Sequence, residues 1–450
     1  MRIPSHVFYY SLCAIYVCLS LQRYRAWAGE TGRITGFRST KVIAANRIRR
    51  IIFILEPPLT VQLKSVYNIE KLRSSGFVVD IWNLTGYLHP EFAHEIDREE
   101  ALDARECEQF ARKEEILQAF SGITLDTMVN CFVPLQPKTF FIFRQLSVQM
   151  LRYCVFQFIS FPSPGCEENG PWARLSHVAA KVNLLGHRKG LTTLRNSLLT
   201  RLYYLPRIRP ANLALLSGVR SLELRNPLVA EGRTHLLWVH AYDYDTYLSL
   251  RGSLKPPDPL TGVFLDEYLP LHTDYQYLGC DAPMEAREYY ANLRAFFDFL
   301  EKTYHVRIII AAHPRSQYNE SRKDFGDRPV IRGRTAELVR DSGFVLAHMS
   351  TSINLAVLFR RPILFMTMDA LQRRIPGRHF VGDHIDVIAH ALHREPIKID
   401  RVTRFDWEHA MRVDEEAYAA YQNDYIKKDG TPEIPFWDIY AHYLRNPPEG

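Results

Sequence analysis

Residues 306–367 constrain the fold of this chain more than any other stretch. They read VRIIIAAHPRS and, after a short gap, RPVIRGRTAELVRDSGFVLAHMSTSINLAVLFRRPILFMT. Short apolar runs bounded by polar clusters are strand signatures, and the segments between them carry helical spacing. Strand, polar loop, helix, strand, Ser/Thr-rich loop, helix and strand in succession build a parallel sheet. In such a sheet the loop after each strand gathers at the carboxyl edge, where open α/β sheets bind ligands. His313, Pro314 and Arg315 follow the first of these strands, and His348, Ser350, Thr351, Ser352 and Asn354 follow the second. The two loops together predict an anion pocket.

The rest of the chain repeats this alternation. RIIFIL at 50–55, a helix over 63–74, Gly76 as its C-cap and a second strand over 77–82 open another βαβ unit. Residues 95–119 predict an exposed amphipathic helix; 139–157 predict a buried strand or helix, and 212–216 a late strand. At 450 residues the chain exceeds a single core of ordinary size. The expected organisation is α/β with two Rossmann-like domains. An extension over 1–45 precedes a first domain over 46–235, a linker over 236–260, a second domain over 261–400 and a helical tail over 401–450. The linker reading rests on the prolines at 256, 257 and 259, which cannot lie inside a helix or central strand.

Composition narrows the partners. With 56 basic against 50 acidic residues the net charge is +6, spread without a dense basic block. That balance suits small anionic ligands and contact with an anionic membrane face, and it argues against nucleic acid, whose recognition signatures are missing. Seven scattered cysteines without a CxxC pair predict neither a zinc site nor a disulfide framework. The expected location is the cytoplasm, peripheral to the inner membrane. The apolar run over 6–21 is short for a spanning helix, which needs about 20 residues, and is read as a dispensable extension or a weak membrane-contact segment.

Three clusters carry candidate chemistry. His313 at a strand end can bind a phosphate or protonate a leaving group, and Arg315 offers a fixed cation for bidentate contact. A lone His-Pro pair also serves as a plain loop cap. The hydroxyls at 350–352 precede an apolar helix, so N-cap chemistry and unpaired backbone N–H groups coincide there, whether for structure alone or for an anion. Asp266 and Glu267, after the strand at 262–265, can deprotonate an acceptor hydroxyl or simply cap the next element, with His272 and Asp274 nearby. Glu56, at the tip of the first strand, is a rival base. Asp243 and Asp245 near His240 match a divalent-metal pair only in spacing, and their expected role is structural or acceptor-side; no metal site is expected. Serine-hydrolase, zinc-protease, NTPase and dinucleotide motifs are missing.

The opening strand–helix–Gly–strand unit resembles the amino-terminal half of sugar-nucleotide glycosyltransferases with two Rossmann-like domains, the GT-B architecture. The HP pair followed by a Ser/Thr-rich loop on the next unit resembles bacterial transferases of CMP-activated acidic sugars, the sialyl- and Kdo-transferases. The same layout is similar to the polyol-phosphate transferases of teichoic acid synthesis. The resemblance covers about the second half of the chain. It implies that His313, Pro314, Ser350, Thr351 and Ser352 hold the donor phosphate, with Arg315, His348 and Asn354 beside them. It further implies inverting, metal-independent sugar transfer in capsule, O-antigen or lipopolysaccharide assembly, from a nucleotide sugar to a glycan or lipid-linked glycan. The donor is then a substrate, and no cofactor is expected. Those relatives take their base from an acidic pair followed by Gly, which this sequence lacks at Asp266 and Glu267. A nucleotide-sugar epimerase or a polyol-phosphate transferase on the same fold, or a non-catalytic carbohydrate-binding scaffold, remain alternatives.

Overall fold

A computed structural model describes residues 47–56, 61–90, 107–159, 161–164, 203–253, 256–272, 282–318, 323–373, 381–402 and 404–447. The extension over 1–45 and Asp274 lie outside them.

Thirteen strands among the described residues form two sheets, and every pairing within each sheet is parallel. The first sheet holds β1 (Arg50–Leu55), β2 (Val78–Asn83), β3 (Glu108–Gln109), β4 (Thr127–Phe132), β5 (Arg152–Gln157), β6 (Leu213–Leu216) and β7 (His235–Trp238). The second holds β8 (Asp258–Leu265), β9 (Arg307–Ala312), β10 (Val330–Arg332), β11 (Ser342–Ala347), β12 (Ile363–Thr367) and β13 (Ile397–Lys398). Their orders are β3-β2-β1-β4-β5-β6-β7 and β10-β9-β8-β11-β12-β13. Each sheet therefore runs outward from its first strand in one direction and then restarts beside that strand in the other. The reversal opens a crevice between β1 and β4 in the first sheet and between β8 and β11 in the second. This is the two-domain Rossmann-like α/β architecture expected from the alternation of elements.

Local chemistry explains most boundaries. Ile51, Ile52, Phe53, Ile54 and Leu55 are all fully buried, because a central parallel strand is covered on both faces. The helix Ala286–Tyr304 buries Tyr289, Tyr290, Leu293, Phe296, Phe297 and Leu300, one stripe at helical spacing against the second sheet. The helix expected over 63–74 is two helices, Val61–Val66 and Ile69–Ser74, because Asn68 takes the left-handed conformation (φ 46°) between them. Gly76 has φ +87°, as the expected C-cap requires. Of the helix expected over 95–119, residues 91–106 are not described; the remainder is the short strand β3 and a helix that starts only at Lys113.

The expected linker is mostly ordered structure. Its first residues finish β7, Tyr242–Leu250 is a helix, and β8 begins at Asp258, before the last proline. Pro259 is tolerated in a central strand because the β8–β11 register shifts between Ser342 and Phe344. Gly343 fills that shift. A Cβ there would stand 2.6 Å from the Cα of Pro259.

Among the described residues the chain passes between the domains twice. After β7 it enters helix Tyr242–Leu250, which packs on the second core. The tail returns: Tyr418, Tyr421 and Ile426 belong to the second core, whereas Phe436, Trp437 and Tyr440 belong to the first. Trp437 Nε1–H donates to the Val66 carbonyl at 2.8 Å, and the Tyr440 hydroxyl donates to Asn130. Both passages meet at His240, which forms an antiparallel bridge with Lys427 and whose Nε2 lies 2.9 Å from the Ile434 carbonyl. Here the carboxyl edge of the first sheet touches the tail, for Lys428 N–H donates to the Ser217 carbonyl and Arg220 pairs with Asp424. Among the described residues no helix is long and apolar enough to cross a membrane.

Gly218 lies against the backbone of Asp424 and Tyr425 at this seam, so closely that an added Cβ would overlap both. Gly218→Ala is expected to destabilise the chain by about 1–3 kcal/mol, the usual cost of overpacking. Urea unfolding would detect it as a lower midpoint or as the second domain unfolding separately from the first.

Candidate functional site

The β8–β11 crevice of the second domain is built around two consecutive carboxylates. Asp266 and Glu267 follow β8, the central strand, and are carried into the gap between the loop after β9 and the loop after β11. Asp266 Oδ2 accepts the backbone N–H of His313 at 3.0 Å, and Oδ1 accepts that of Tyr268 at 2.9 Å. The Tyr318 hydroxyl donates to both Asp266 oxygens at 3.0 Å. Glu267 Oε1 accepts the backbone N–H of Met349 at 2.7 Å. The first carboxylate thus holds the His-Pro loop and the second holds the Ser/Thr loop. The two expected motifs are joined through adjacent residues.

Their environment is dry. Burial chiefly pushes Asp266 up to about 6, against the hydrogen bonds from His313, Tyr268 and Tyr318. Burial likewise pushes Glu267 up to about 8; its backbone donors oppose the rise and the neighbouring charge of Asp266 adds to it. These carboxylates, expected as candidate bases, are spent on the loop backbone.

His313 is half-buried and its Nδ1 accepts the Arg315 backbone N–H at 3.2 Å, so the ring proton of the neutral form sits on Nε2. Burial drives its pKa down to about 3, and the positive neighbours His272, Arg315 and Arg332 push the same way. The His272 ring lies edge-on to it, 5.1 Å between centroids. Pro314 is exposed and begins the turn, while the guanidinium of Arg332 reaches across to the Ser316 carbonyl.

The hydroxyl loop differs from its expected chemistry in one respect. Four of its backbone donors are engaged: Ile353, Asn354 and Leu355 donate back to the carbonyls of Ser350, Thr351 and Ser352, and Ser352 N–H donates to Ser350 Oγ. The tight first turn of a six-residue helix takes up the donors that a longer helix leaves over. What this loop presents outward is hydroxyl chemistry, with Thr351 exposed and Ser350 and Ser352 half-buried.

Two residues expected at the donor phosphate lie in the interior. His348 is fully buried; its Nδ1 lies 2.6 Å from the Met366 carbonyl, and burial holds its pKa near 4. Asn354 is fully buried at the seam, where its amide donates to Asp243 at 3.0 Å and its carbonyl oxygen accepts the Tyr421 hydroxyl at 3.2 Å. His348 ends the buried strand and Asn354 lies in the buried first turn of the helix, so both turn inward, while the hydroxyls between them are at least partly exposed. Asp243 and Asp245 are also committed within the protein, to Asn354 and to the Phe436 backbone N–H.

The first domain contributes a pair that the sequence only half revealed. Glu56 follows β1 at that sheet's own crevice and is buried; its Oε1 lies 2.7 Å from Nε2 of His89, which is half-buried. Glu56 was legible as a strand-end acid. His89 was not, because it sits 33 residues away at the end of a single helical turn after β2. A pocket of about 440 Å³ opens elsewhere, against edge strand β7 between Leu236, Trp238, Lys428 and Tyr443, and shares no residue with these loops.

No family model matches the chain, and no curated protein matches it. Solved structures do resemble it. Arabidopsis thaliana UGT89C1 is 11% identical, over 88% of this chain and 99% of that one, with a TM-score of 0.41. The glycosyltransferase of kitacinnamycin is 11% identical over 84% and 94%, with a TM-score of 0.44. S. aureus MnaA, solved with UDP, is 10% identical over 89% and 97%, with a TM-score of 0.41. The likeness is one of fold, and the chemistry has to come from the side chains above.

Glu267 makes a pH prediction. Its carboxyl titrates at the ordinary 4.5 in the unfolded chain and at about 8 in the folded one, so folding favours the protonated form. The stability it contributes is complete below about pH 4.5 and is lost as pH rises through about 8. Glu267→Gln keeps a carbonyl acceptor for Met349 and cannot ionise. Urea unfolding at pH 5, 6.5 and 8 is expected to show a flatter stability profile in this variant than in the parent.

Proposed function

We propose that this chain is a glycosyltransferase that uses a nucleotide-activated sugar, inverting and independent of metal, with a CMP-activated acidic sugar as donor. One observation carries the reading. Two loops at the carboxyl edge of the second sheet are tied to one acidic dipeptide, and the His313 ring is thereby set among His272, Arg315 and Arg332. An imidazole kept neutral chiefly by burial, with His272, Arg315 and Arg332 pushing the same way, is the electrostatic mark of a site arranged for an anion.

In this reading Arg315 and His313 receive the donor phosphate, with hydroxyls from Ser350, Thr351 and Ser352 completing the contact. Pro314 fixes the turn. Asp266, Glu267, His348 and Asn354 hold these groups in position. One imidazole, one guanidinium and a few hydroxyls match a single phosphate, as a CMP-linked sugar carries, better than a diphosphate. As the bond to the sugar breaks, charge grows on the phosphate oxygens, and a preorganised cationic pocket stabilises it without metal. Surface polysaccharide assembly, with a glycan or lipid-linked glycan as acceptor, is the setting that fits an acidic sugar donor.

Titration calorimetry with CMP, CDP and UDP tests the reading. CMP is expected to bind most tightly, and His313→Ala to weaken it by about 10–100-fold, the range of a lost charge-assisted contact. Binding the phosphate reverses the local field at His313, so complex formation near pH 6 is expected to take up a proton. Repeating the titration in buffers of different ionisation enthalpy measures that uptake. A parent chain that binds none of the three nucleotides would remove the proposal.

A further inference from the structure

We infer that His89, oriented by Glu56, is the base that deprotonates the acceptor. This deepens the proposed sugar transfer and rests on it. The inference starts from position: Glu56 ends β1, the strand beside which the first sheet reverses, so it stands at that domain's own ligand crevice. The carboxyl edge of this sheet turns toward the second domain, as the contacts of Ser217, Gly218 and Arg220 with residues 424–428 establish.

The local build is that of an oriented imidazole. Glu56 is 2% exposed, so its carboxylate faces the ring rather than water. It lies 2.7 Å from His89 Nε2, a contact in which the ring donates to the carboxylate through Nε2–H. The segment carrying His89 is tied down at several points. His89 N–H donates to the Thr85 carbonyl at 2.8 Å, the Thr85 hydroxyl donates to the Glu56 carbonyl at 2.6 Å, and Lys138 Nζ reaches the Leu88 carbonyl at 3.0 Å. Strand ends from β1, β2 and β4 therefore converge to fix one half-buried ring. A buried carboxylate holding a histidine tautomer is the orienting arrangement that general-base catalysis requires. Asp266 and Glu267 are already engaged with the donor loops.

The step balances as follows. The acceptor O–H proton passes to His89 Nδ1, and the oxygen pair forms the bond to the sugar's anomeric carbon. The bond from that carbon to the nucleotide phosphate breaks, and its electron pair leaves with the phosphate, held by His313 and Arg315. Glu56 stabilises the imidazolium until its proton returns to solvent.

Donor hydrolysis tests this without a known acceptor, because water takes the acceptor's place. Nucleotide release from CMP-N-acetylneuraminate, UDP-glucose and UDP-N-acetylglucosamine would be followed from pH 5 to 9, beside nucleotide affinity and the unfolding midpoint. His89→Ala is expected to slow release by about 10²–10³-fold, assayed below its unfolding midpoint, and to remove the acid limb of the pH profile with nucleotide affinity unchanged; the midpoint itself falls, because buried Glu56 loses its imidazole partner. Glu56→Gln, which keeps the hydrogen bond, is expected to slow release by less. Release by His89→Ala within about threefold of the parent, or with its acid limb intact, would overturn the assignment while leaving the donor site standing. Nucleotide binding by the parent without release from any donor would also overturn it, since such a base activates water too. Loss of nucleotide affinity in the parent itself would instead sink the donor site.

Discussion

The second domain depends on a pair of adjacent acids reaching in two directions. Residues next to each other after a strand point to opposite sides, so Asp266 and Glu267 can each meet a different neighbouring loop. Asp266 takes the His313 amide and Glu267 takes the Met349 amide. Removing either carboxylate would leave a loop N–H without its partner in a dry interior, which costs more than the bond itself contributes. The raised pKa values of both acids are the other face of the same arrangement: the burial that rigidifies the loops disfavours the charge that holds them.

The two crevices divide the chemistry. The second domain gathers cations and hydroxyls around half-buried His313, whereas the first holds a carboxylate–imidazole pair in which Glu56 is buried and His89 reaches the surface. Two parallel sheets that reverse beside their first strand thus carry different side-chain chemistry at equivalent edges. Neither character follows from the fold, which serves many unrelated activities; each follows from the few side chains set at the strand ends.

Much of this was legible in the sequence because strand-end positions are local. RIIFIL, GVFL, RIIIAA and FVLA announce buried parallel strands by apolar runs alone, and the polar residue after each run is placed by the strand itself. That logic located Glu56, Asp266 and His313. It failed where long-range packing decides. His348 and Asn354 share a loop with the hydroxyls, yet one turns to Met366 and the other to Asp243 and Tyr421, partners far away in sequence. The linker expected from closely spaced prolines is partly strand, because the shifted register opposite Pro259 cannot be read from prolines alone. His89 escaped notice for the same reason: its partner is a strand away.

The meeting of both inter-domain passages at His240 has a mechanical consequence. Two connections lying side by side define a line, as two pins fix a door. Swinging about that line lengthens neither connection, whereas twisting or sliding strains both.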